Sequence, residues 1–402
     1  MTRLKAFVSN ITTKVNDVSL PYVALEHIEP GTGRLVEGAL LEGWSTTDSI
    51  GHRAGDVRFG KLRPYLSKSY LASSDGVGSS ELIVLRPKRS LDSRFLWYLT
   101  LSRPFIEWAI ATSYGVKMPR TSWSALGNFD VSPPSVPRQR EVVGLLDSVI
   151  GQIDVLIAEQ LHLAALAQER LWVSISKVLG ARVGGEADLL ESGLLPCPAP
   201  WRLAQLRQVA RIQSGLTLGK VYSEPVSELP YLRVANVRDG EINTEDVSTV
   251  AVPIAVAARH TLRAGDVLMT EGGDNDKLGR GAVWDGRIEP CLHQNHIFAV
   301  RPGSELLAEY LSALLTSSWG RAYFTATAHQ TTNLASTNRS KVGRLPIPLP
   351  LIERQHEIVA FVREESLALT GLMTEIENQV VLLREHRQAL ITAAVTGHLE
   401  FA

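Results

Sequence analysis

"LPIPLPLIERQHEIV", Leu345 to Val359, is the stretch that decides the fold, because the chain contains a second version of it. The other version is "FDVSPPSVPRQREVV", Phe129 to Val143. In both, prolines precede a glutamine and an apolar run, and Gln139 aligns with Gln355. A pattern that recurs with altered letters indicates an architectural element that the chain uses twice.

The repetition extends over the rest of the chain. "PYV" at 21–23 corresponds to "PYL" at 230–232, and "RAGDV" at Arg53–Val57 returns letter for letter at Arg263–Val267. The two pentapeptides lie slightly closer together in the chain than the two glutamines do. The second copy has therefore gained a few residues after its pentapeptide, and we expect this insertion near Met269–Trp284.

Each copy is expected to form an α+β domain followed by one long helix. Runs such as "ELIVLRP" and "HIFAVRP" are typical of strands, and "RFLWYLTL" is typical of a short helix. Pro137 occupies a position that helix starts favour, and glycines at 180 and 397 predict the ends of the long helices. The predicted apolar seam runs through Val142, Leu146, Val149, Ile153, Leu156, Gln160, Leu163 and Ala167 in the first helix and Leu369, Met373, Ile376, Val380, Leu383, Arg387 and Leu390 in the second.

A helix from Arg138 to Leu179 would be about 60 Å long at 1.5 Å per residue, too long for burial in one small domain. The sequence therefore predicts an α+β protein in which two related domains are separated by two long helices that pack as an antiparallel coiled coil. The alternative, that each helix folds back on its own domain, stays open. The predicted segments are a first domain at 1–136, a first helix at 137–182, a linker and second domain at 183–350, and a second helix at 351–402.

The composition is that of an ordinary globular protein, with 402 residues of which 45% are hydrophobic and 21% charged. Cys197 and Cys291 form no CxxC pair, which argues against a disulfide framework or a zinc site and favours a reducing cytoplasm. No apolar stretch approaches a membrane span in length, so no membrane partner is expected. Residues 1–136 carry 16 basic and 12 acidic side chains, a local excess that permits nucleic-acid binding despite a net charge of −1.

Little in the sequence indicates catalysis. Ser132-Pro133-Pro134 supplies three letters of the motif with which DNA amino-methyltransferases hold a flipped base, but Ser135 lacks the aromatic face that such a pocket needs. "SGLTLGKV" at 214–221 lacks P-loop spacing, and "GGDNDKLGRG" at 272–281 lacks the flanking strand and helix of a dinucleotide fingerprint. His293 and His296 would point to opposite faces of a strand, so we predict no catalytic and no metal-ligating residues.

Together these features resemble the DNA-specificity subunit of type I restriction-modification systems. Two tandem α+β domains each lead through prolines and a glutamine into a long helix, and the second helix ends in "REHRQALITAAVTGHLEF", Arg384 to Phe401. "FGKLRPYL" at 59–66 and "GGDNDKLGRG" resemble stretches common in the target-recognition domains of that family. The likeness covers essentially the whole chain, although the first helix ends in "ISKVLGARV" where the second has "ITAAVTGHL".

The resemblance implies a non-catalytic, cytoplasmic scaffold that reads a bipartite sequence in double-stranded DNA. Two pseudo-twofold-related target-recognition domains would each read one half-site, and the helices would set the spacing between the half-sites. Two methyltransferase subunits and the restriction-translocase subunits would be the protein partners. No cofactor is expected in this chain, because S-adenosylmethionine would belong to the methyltransferase subunits, and ATP and Mg to the restriction subunits.

DNA contacts are expected in basic and polar loops, since Lys and Arg bind phosphates while Arg, Gln and Asn read base edges. In the first domain these loops are "RFGKLRPYLSKSY" at 58–70 and "TSYGVKMPRTSW" at 112–123. A solvated strand edge with Tyr65 in the core is the alternative for the first of them. The predicted DNA-binding residues are Arg58, Lys61, Arg63, Tyr65, Lys68, Lys117 and Arg120, and in the second domain Lys277, Arg280, Gln294, Asn295, Gln330, Thr331, Asn333 and Arg339.

Three other functions stay open from the sequence alone. A free-standing repressor would share the bipartite geometry without methyltransferase partners. A methyltransferase acting alone through Ser132-Pro133-Pro134 would bind S-adenosylmethionine as the isolated chain. A coiled-coil structural protein would show no salt-dependent binding to duplex DNA.

Overall fold

Two α+β domains and two long helices make up the protein in the computed structural model. The chain divides into two compact units, Met1–His162 with Ile376–Ala402, and Leu163–Glu375. Each unit therefore combines one α+β domain with a portion of both long helices. The domain boundaries given above stay a prediction. The structure describes residues 2–36, 38, 45–179, 197, 200–273, 278–330 and 335–398.

The first domain consists of short strands and short helices that precede the first long helix. Its strands are β1 (Thr2–Arg3), β2 (Val8–Ile11), β3 (Tyr22–Val23), β4 (Ile50–His52), β5 (Val57–Gly60), β6 (Ser69–Leu71), β7 (Gly76–Gly78), β8 (Leu82–Pro87) and β9 (Asp130–Val131). Its helices are α1 (Ser93–Leu101), α2 (Arg103–Ala111) and α3 (Trp123–Leu126), followed by the long helix α4 (Val136–Val178).

An antiparallel sheet with the strand order β2-β8-β5-β6 forms the centre of this domain. Val57 and Phe59 point from β5 toward α1 and α2, where they share a core with Phe95 and Phe105. The Phe59 and Phe105 rings meet edge to face, with centroids 5.3 Å apart. Asp92 starts α1 by accepting hydrogen bonds from two backbone amides of its first turn, which is the chemistry of a helix N-cap.

The second domain has the same kinds of elements before the second long helix. Its strands are β10 (Arg202–Gln205), β11 (Ala210–Ser214), β12 (Ser227–Leu232), β13 (Ser248–Val252), β14 (Val267–Thr270), β15 (Gly272–Gly273), β16 (Gly281–Val283), β17 (Leu292–His293), β18 (Ile297–Pro302), β19 (His329–Gln330), β20 (Ala335–Ser336) and β21 (Pro346–Leu349). Its helices are α5 (Leu206–Val209), α6 (Ile254–His260), α7 (Ala308–Thr316), α8 (Ser318–Thr327) and α9 (Arg339–Arg344), followed by the long helix α10 (Ile352–Val395).

The two domains share one topology, which confirms the internal repeat. The order β11-β18-β14-β16 repeats β2-β8-β5-β6, again with antiparallel neighbours. The parallel pair β12 and β17 matches β3 and β7, and β10 pairs with β21 as β1 pairs with β9. The pairing differs at two places. β4 pairs with β7 in the first domain whereas β13 pairs with β12 in the second, and the small sheet β15-β20-β19 of the second domain corresponds to isolated β-bridges in the first.

The extra residues of the second copy are distributed over several loops, which corrects their expected placement within Met269–Trp284. The register of the strands identifies which residue of the second copy is equivalent to each residue of the first. The number of residues between two equivalents increases in steps after the pentapeptides. It first increases in the loop that follows β5 and β14, then before β8 and β18, and finally before the N-caps of α3 and α9. The equivalent pairs that mark these steps are Val57 with Val267, Leu71 with Val283, Leu85 with Val300, and Ser122 with Asn338. Only part of the insertion therefore belongs to the expected stretch.

The repeated "RAGDV" forms the same turn and ion pair in both domains. Asp56 is buried and accepts two hydrogen bonds from Arg86, at 2.8 and 2.6 Å. Asp266 does the same with Arg301, at 2.7 and 2.6 Å. The glycine of each pentapeptide has a left-handed backbone, with φ of 85° and 87°, which glycine adopts without strain. The identical letters therefore reflect one structural requirement that is met twice.

Arg58 lies inside the first domain, which corrects its assignment to a DNA-binding surface. It is fully buried, because the strand alternation that turns its neighbours toward the α-helices turns Arg58 toward the other face of the sheet. Its Nη1 donates to Nδ1 of His52 at 2.6 Å, and its Nη2 donates to the Ser79 carbonyl at 3.2 Å. Burial lowers the pKa of Arg58 to about 10, and burial together with the Arg58 charge lowers the pKa of His52 to about 4.

A buried glutamine attaches each long helix to the domain that precedes it. The Gln139 side chain accepts a hydrogen bond from the Asp92 amide at 2.7 Å and donates to the carbonyls of Ser90 and Pro134. Gln355 accepts from the Leu307 amide at 2.9 Å and donates to two equivalent carbonyls, those of Glu305 and Pro350. Neither glutamine is exposed to solvent. The alignment of these two residues in the sequence thus corresponds to one shared anchor.

The long helices pack antiparallel within each unit, as the sequence predicted. In the first unit the beginning of α4 shares a core with the end of α10, and in the second unit the end of α4 shares a core with the beginning of α10. The same cores include strand and helix residues of the respective domain. Each helix portion therefore packs against both its partner helix and a domain, which combines the two arrangements that the sequence left open.

The seam between the helices keeps the 3-4 spacing of a heptad pattern. In α4 the residues at 139, 143, 146, 150, 153, 157, 160, 164, 167, 171, 174 and 178 are all buried or half-buried. Leu156 and Leu163 of the predicted seam are 46% and 45% exposed, because the seam passes through the residue after each of them. In α10 all predicted seam positions from Leu369 to Leu390 are buried or half-buried, which confirms the prediction for that helix.

Arg387 occupies the seam of the first unit, where a charge needs partners. It is 5% exposed, and its Nε donates to Asp154 at 3.0 Å. Its two terminal nitrogens donate to the carbonyls of Gly31 and Thr32, at 2.9 and 2.8 Å. Arg34 donates to Asp154 as well. The buried guanidinium thereby joins α4, α10 and a loop of the first domain.

The second long helix ends near the glycine that the sequence indicated. Gly397 has a φ of 78°, and its N–H and that of His398 donate to the carbonyls of Ala394 and Ala393. This pair of bonds is a Schellman motif, which satisfies carbonyls at a helix end. Gly180, the predicted end of the first helix, lies outside the described residues.

Replacement of the buried anchor should destabilise the protein more than the loss of an exposed glutamine. Gln355→Leu leaves one amide and two carbonyls without their partner, so we expect the free energy of unfolding to fall by about 3 kcal/mol. Gln152→Leu, at an exposed position of α4, is the matched control and should change it by less than about 0.5 kcal/mol. Urea unfolding of both variants, followed by circular dichroism, measures the difference. Equal effects would contradict the anchor.

The neutral His52 predicts a pH dependence of stability. Its pKa is about 4 in the folded protein and about 6.5 in the unfolded chain, so between these values the unfolded chain binds more protons. Its contribution, on the order of 3 kcal/mol, should be complete above pH 6.5 and be lost as the pH falls toward 4. His52→Gln keeps an acceptor for Arg58 but cannot titrate. The unfolding free energy of this variant should therefore decline less between pH 7 and pH 4, and parallel curves would disprove the assignment.

Candidate nucleic-acid interface

The two candidate loops of the first domain lie against each other. Leu62, just beyond β5, forms a β-bridge with Arg120, and the Arg63 amide donates to the Pro119 carbonyl at 2.8 Å. The Thr121 amide donates to the Lys61 carbonyl at 2.9 Å. The structure thus brings segments 58–70 and 112–123, which are far apart in sequence, to one end of the central sheet.

The second domain builds the same arrangement from its own residues. β15 pairs with β20, which pairs with β19, and the Thr337 amide donates to the Glu271 carbonyl at 2.8 Å. Thr337 and Glu271 are the repeat equivalents of Thr121 and Lys61. Gln330 belongs to β19, although the description does not extend to its side chain. The candidates Lys277, Thr331 and Asn333 lie outside the described residues.

Arg63, Tyr65 and Lys117 present their side chains to solvent. Tyr65 is 51% exposed, so it does not fill the core, and both cations are exposed without an acidic partner among the described residues. Arg63 also has a φ of 51°, an uncommon left-handed backbone for a residue with a side chain. Such local strain is often found where a side chain is held for binding. These three residues are therefore available to a ligand.

Three other candidate cations of the first domain already have internal partners. Lys61 donates to the Ser80 carbonyl, and Arg120 pairs with the carboxylate of Glu81. Lys68 donates to the Leu25 carbonyl at 2.8 Å, and partial burial lowers its pKa. All three stay partly exposed. They fix the shape of the loops, and their contact with DNA stays a prediction.

An apolar loop tip, which was not among the candidates predicted from the sequence, projects beside these cations. Tyr114 and Met118 are 63% and 56% exposed, and Val116 between them is fully exposed. Reciprocal backbone hydrogen bonds between Tyr114 and Arg120 close the tip, and Gly115 makes the turn with a φ of 90°. Apolar groups between cations suit contact with thymine methyl groups or base steps. The signal in the sequence was the run "YGVKM", whose apolar residues flank a glycine and a lysine.

Gln294 and Asn295 form the turn between β17 and β18 and are half-exposed. The backbone N–H of Gln294 donates to the Leu232 carbonyl and that of Asn295 to the Leu216 carbonyl, both at 2.9 Å. A side chain at Gly215 would make its Cβ clash with the Gln294 carbonyl oxygen, so this close approach requires glycine. The backbone of the turn is therefore fixed while the two amide side chains keep access to solvent.

Arg339 and Arg280 complete the candidates of the second domain. Arg339 is exposed at the start of α9, where Asn338 caps the helix by accepting from the Lys341 amide at 3.0 Å. Arg280 is half-exposed next to β16. The structure places these two cations in the same domain as the Gln294 turn but in separate elements.

Ser132-Pro133-Pro134 lies between β9 and α4, where the Pro134 carbonyl accepts a hydrogen bond from the anchor Gln139. The contact gives the Ser-Pro-Pro motif a structural role at the start of the long helix. In the described part of the chain no three His, Cys, Asp or Glu side chains are grouped to hold a metal ion. Among the helices that the structure describes, none combines the length and apolar character needed to cross a membrane.

Comparisons with known proteins give a consistent result, although no protein-family model matches the chain. The chain is 25% identical over 211 residues to the MjaX specificity subunit of Methanocaldococcus jannaschii, named for a type I restriction enzyme. This match covers 51% of the chain and 48% of the relative. The EcoKI specificity subunit of a type I restriction enzyme from Escherichia coli is 21% identical over 322 residues, 79% of the chain and 68% of the relative. The match thus spans about half the length of the first of these relatives and about two thirds of the second.

The fold agrees with the sequence matches. A solved chain from a study of the assembly and conformational transition of the type I R-M system superposes with a TM-score of 0.73 at 19% identity. The superposition covers 99% of this chain and 97% of the solved one. In sequence the chain is similar to specificity subunits of type I restriction enzymes, and in fold it is similar to a solved chain of the type I R-M system.

Proposed function

We propose that this chain reads a bipartite sequence in double-stranded DNA for a type I restriction-modification complex. Each target-recognition domain contacts one half-site, through the end of its central sheet where the two candidate loops meet. The observation that carries the proposal is the duplication of this loop pair. Two copies of one DNA-binding surface match a target with two separated halves.

Charge and exposure support the assignment of the first domain. Arg63 and Lys117 offer cations for phosphates, and Tyr65 and the apolar tip at 114–118 offer surfaces for bases or sugars. The same end of the second domain carries Gln294 and Asn295, whose amides match the donor and acceptor pattern of adenine in the major groove. The first domain therefore offers phosphate contacts and surfaces for bases, and this turn of the second domain offers contacts to base edges.

In this role the chain is non-catalytic, and its partners carry out the chemistry. We propose that two methyltransferase subunits bind the duplicated scaffold, and that restriction-translocase subunits join them. S-adenosylmethionine belongs to the methyltransferase subunits, and ATP and Mg to the restriction subunits. The relatives are specificity subunits of type I restriction enzymes, which supports this division of labour. A free-standing repressor would need the same loops but no partner.

Methylation sequencing tests the proposal in cells. We expect cells that express the chain with a type I methyltransferase subunit to carry methyladenine in a two-part motif, and cells that lack only this chain to lose it. An unchanged methylation pattern, combined with tight sequence-specific DNA binding by the isolated chain, would favour the repressor. An unchanged pattern without any DNA binding would exclude both functions.

The exposed cations of the first domain predict a measurable loss of DNA affinity. Arg63→Ala with Lys117→Ala should weaken binding to a duplex that carries the motif at least tenfold, because each lost contact is worth about 1–3 kcal/mol. The slope of log K against log salt should become less steep by about one for each phosphate contact removed.

Arg89→Ala is the matched control for these substitutions. Arg89 is also exposed, but it follows β8 at the end of the sheet opposite to the loop pair. Its replacement should leave both affinity and salt dependence unchanged. If the control lost as much affinity as the double variant, the loop end of the sheet would not be the DNA-binding surface. Fluorescence anisotropy at several salt concentrations gives both quantities.

A further inference from the structure

A basic hollow lies along the edge strand β11 of the second domain. Its volume is about 740 Å³, and its lining includes the arginines 211, 259, 263, 301 and 339 and the acidic residue Glu289. Arg211 and Arg301 are register partners on neighbouring strands, which places them side by side. Only Arg339 could be recognised as a candidate from the sequence, because the other arginines belong to segments that are far from it in the chain.

Most of these arginines carry uncompensated charge. Arg301 is held by Asp266, which accepts from it in two hydrogen bonds. The other four arginines are exposed, and no acidic side chain of the described residues lies within 4 Å of them. Guanidinium groups stay protonated in proteins, so crowding them around one hollow raises their mutual repulsion. An anion bound in the hollow would relieve that repulsion.

The fold itself does not require this cluster, as the first domain demonstrates. Arg301 and Arg263 have the counterparts Arg86 and Arg53, which belong to the shared turn and ion pair. The position that pairs with Arg86 is Ser9, so the counterpart of Arg211 is neutral. In the repeat alignment, Arg259 corresponds to Ser49 and Arg339 to Trp123. Three cations have therefore been added to a framework that folds without them.

The hollow continues from the candidate base-reading turn. Ser214, at the end of β11, lines the hollow, and two residues later Leu216 bridges the strand to Gln294. A ligand that extends beyond the Gln294 turn along β11 would meet Arg211 and Arg259 next. Duplex DNA is such a ligand, because its phosphates repeat along each strand while its base edges occupy the groove.

We propose that the arginine hollow binds the phosphate backbone of DNA that flanks the half-site read by the second domain. This inference rests on the proposed function and adds residues to it. The contacts are independent of sequence, so they raise affinity without changing the motif. Free phosphate compounds share the same chemistry, and the test below distinguishes them from DNA.

The test compares a neutralised hollow with charge-preserving and remote controls in the full chain. Arg211→Gln with Arg259→Gln should lower affinity for duplex DNA at least tenfold and make the salt slope less steep by about two. Arg211→Lys with Arg259→Lys keeps the charges and should retain the wild-type slope. Arg202→Gln removes an exposed cation that already pairs with Glu305 and should change neither quantity. Thermal unfolding verifies that all variants fold.

The outcomes separate this inference from the function on which it rests. An unchanged salt slope in the neutralised variant, with normal DNA binding by the wild type, would overturn the hollow as a phosphate site and leave the proposed function intact. If the wild type did not bind DNA, both would fall. Titration calorimetry with tripolyphosphate tests whether the hollow binds a free phosphate compound instead of DNA. Binding of tripolyphosphate that the neutralised variant loses, while its DNA binding stays normal, would assign the hollow to a free anion and contradict the DNA assignment.

Discussion

The buried glutamine in the first turn of each long helix is the contact on which the rest of the structure depends. An amide side chain has two N–H donors and an oxygen acceptor, and Gln139 and Gln355 satisfy both kinds with main-chain groups alone. Those groups belong to the segment before α1 or α7 and to the proline stretch before the long helix. A single side chain therefore fixes where a domain ends and at what angle its helix begins. Since the partners are main-chain groups, the surrounding side chains can differ between the two copies.

The helices add a second constraint, because their seam keeps a heptad spacing. With a spacing of seven residues, the buried positions return to the face that meets the partner helix after two turns. Arg387 interrupts this seam in the first unit and is compensated there by Asp154. A shift of α4 along α10 in that unit would separate the buried Arg387 charge from Asp154. The free-energy cost of an uncompensated buried charge therefore opposes such a shift.

The features that could be predicted from the sequence are those that recur in both copies of the repeat. Gln139, Gln355 and the two pentapeptides identified the repeat, and the repeat predicted the domains and the paired helices. The interior position of Arg58 could not be predicted, because strand alternation separates its face from that of Val57 but does not reveal that β3 and β7 cover it. The heptad spacing of the seam was predicted, but in α4 the series was one residue early at Leu156 and Leu163, because the residue after each of them is apolar too. Of the candidate site, the two loops of the first domain were recognised in the sequence as separate segments, and only the tertiary structure shows that they lie against each other. Their contact with DNA stays a prediction. The arginine hollow was missed because its members share no local pattern.

The pairing of the first and last strands of each domain has a consequence for how such proteins diversify. β1 lies beside β9, and β10 beside β21, so the chain enters and leaves each domain at neighbouring points. In both domains the strand through which the chain leaves directly precedes a long helix. An exchange of the segment between these two borders would replace a whole α+β domain and keep both long helices with their glutamines. The incoming domain would need to supply only main-chain partners for the glutamine, so the anchor sets no requirement on its side chains.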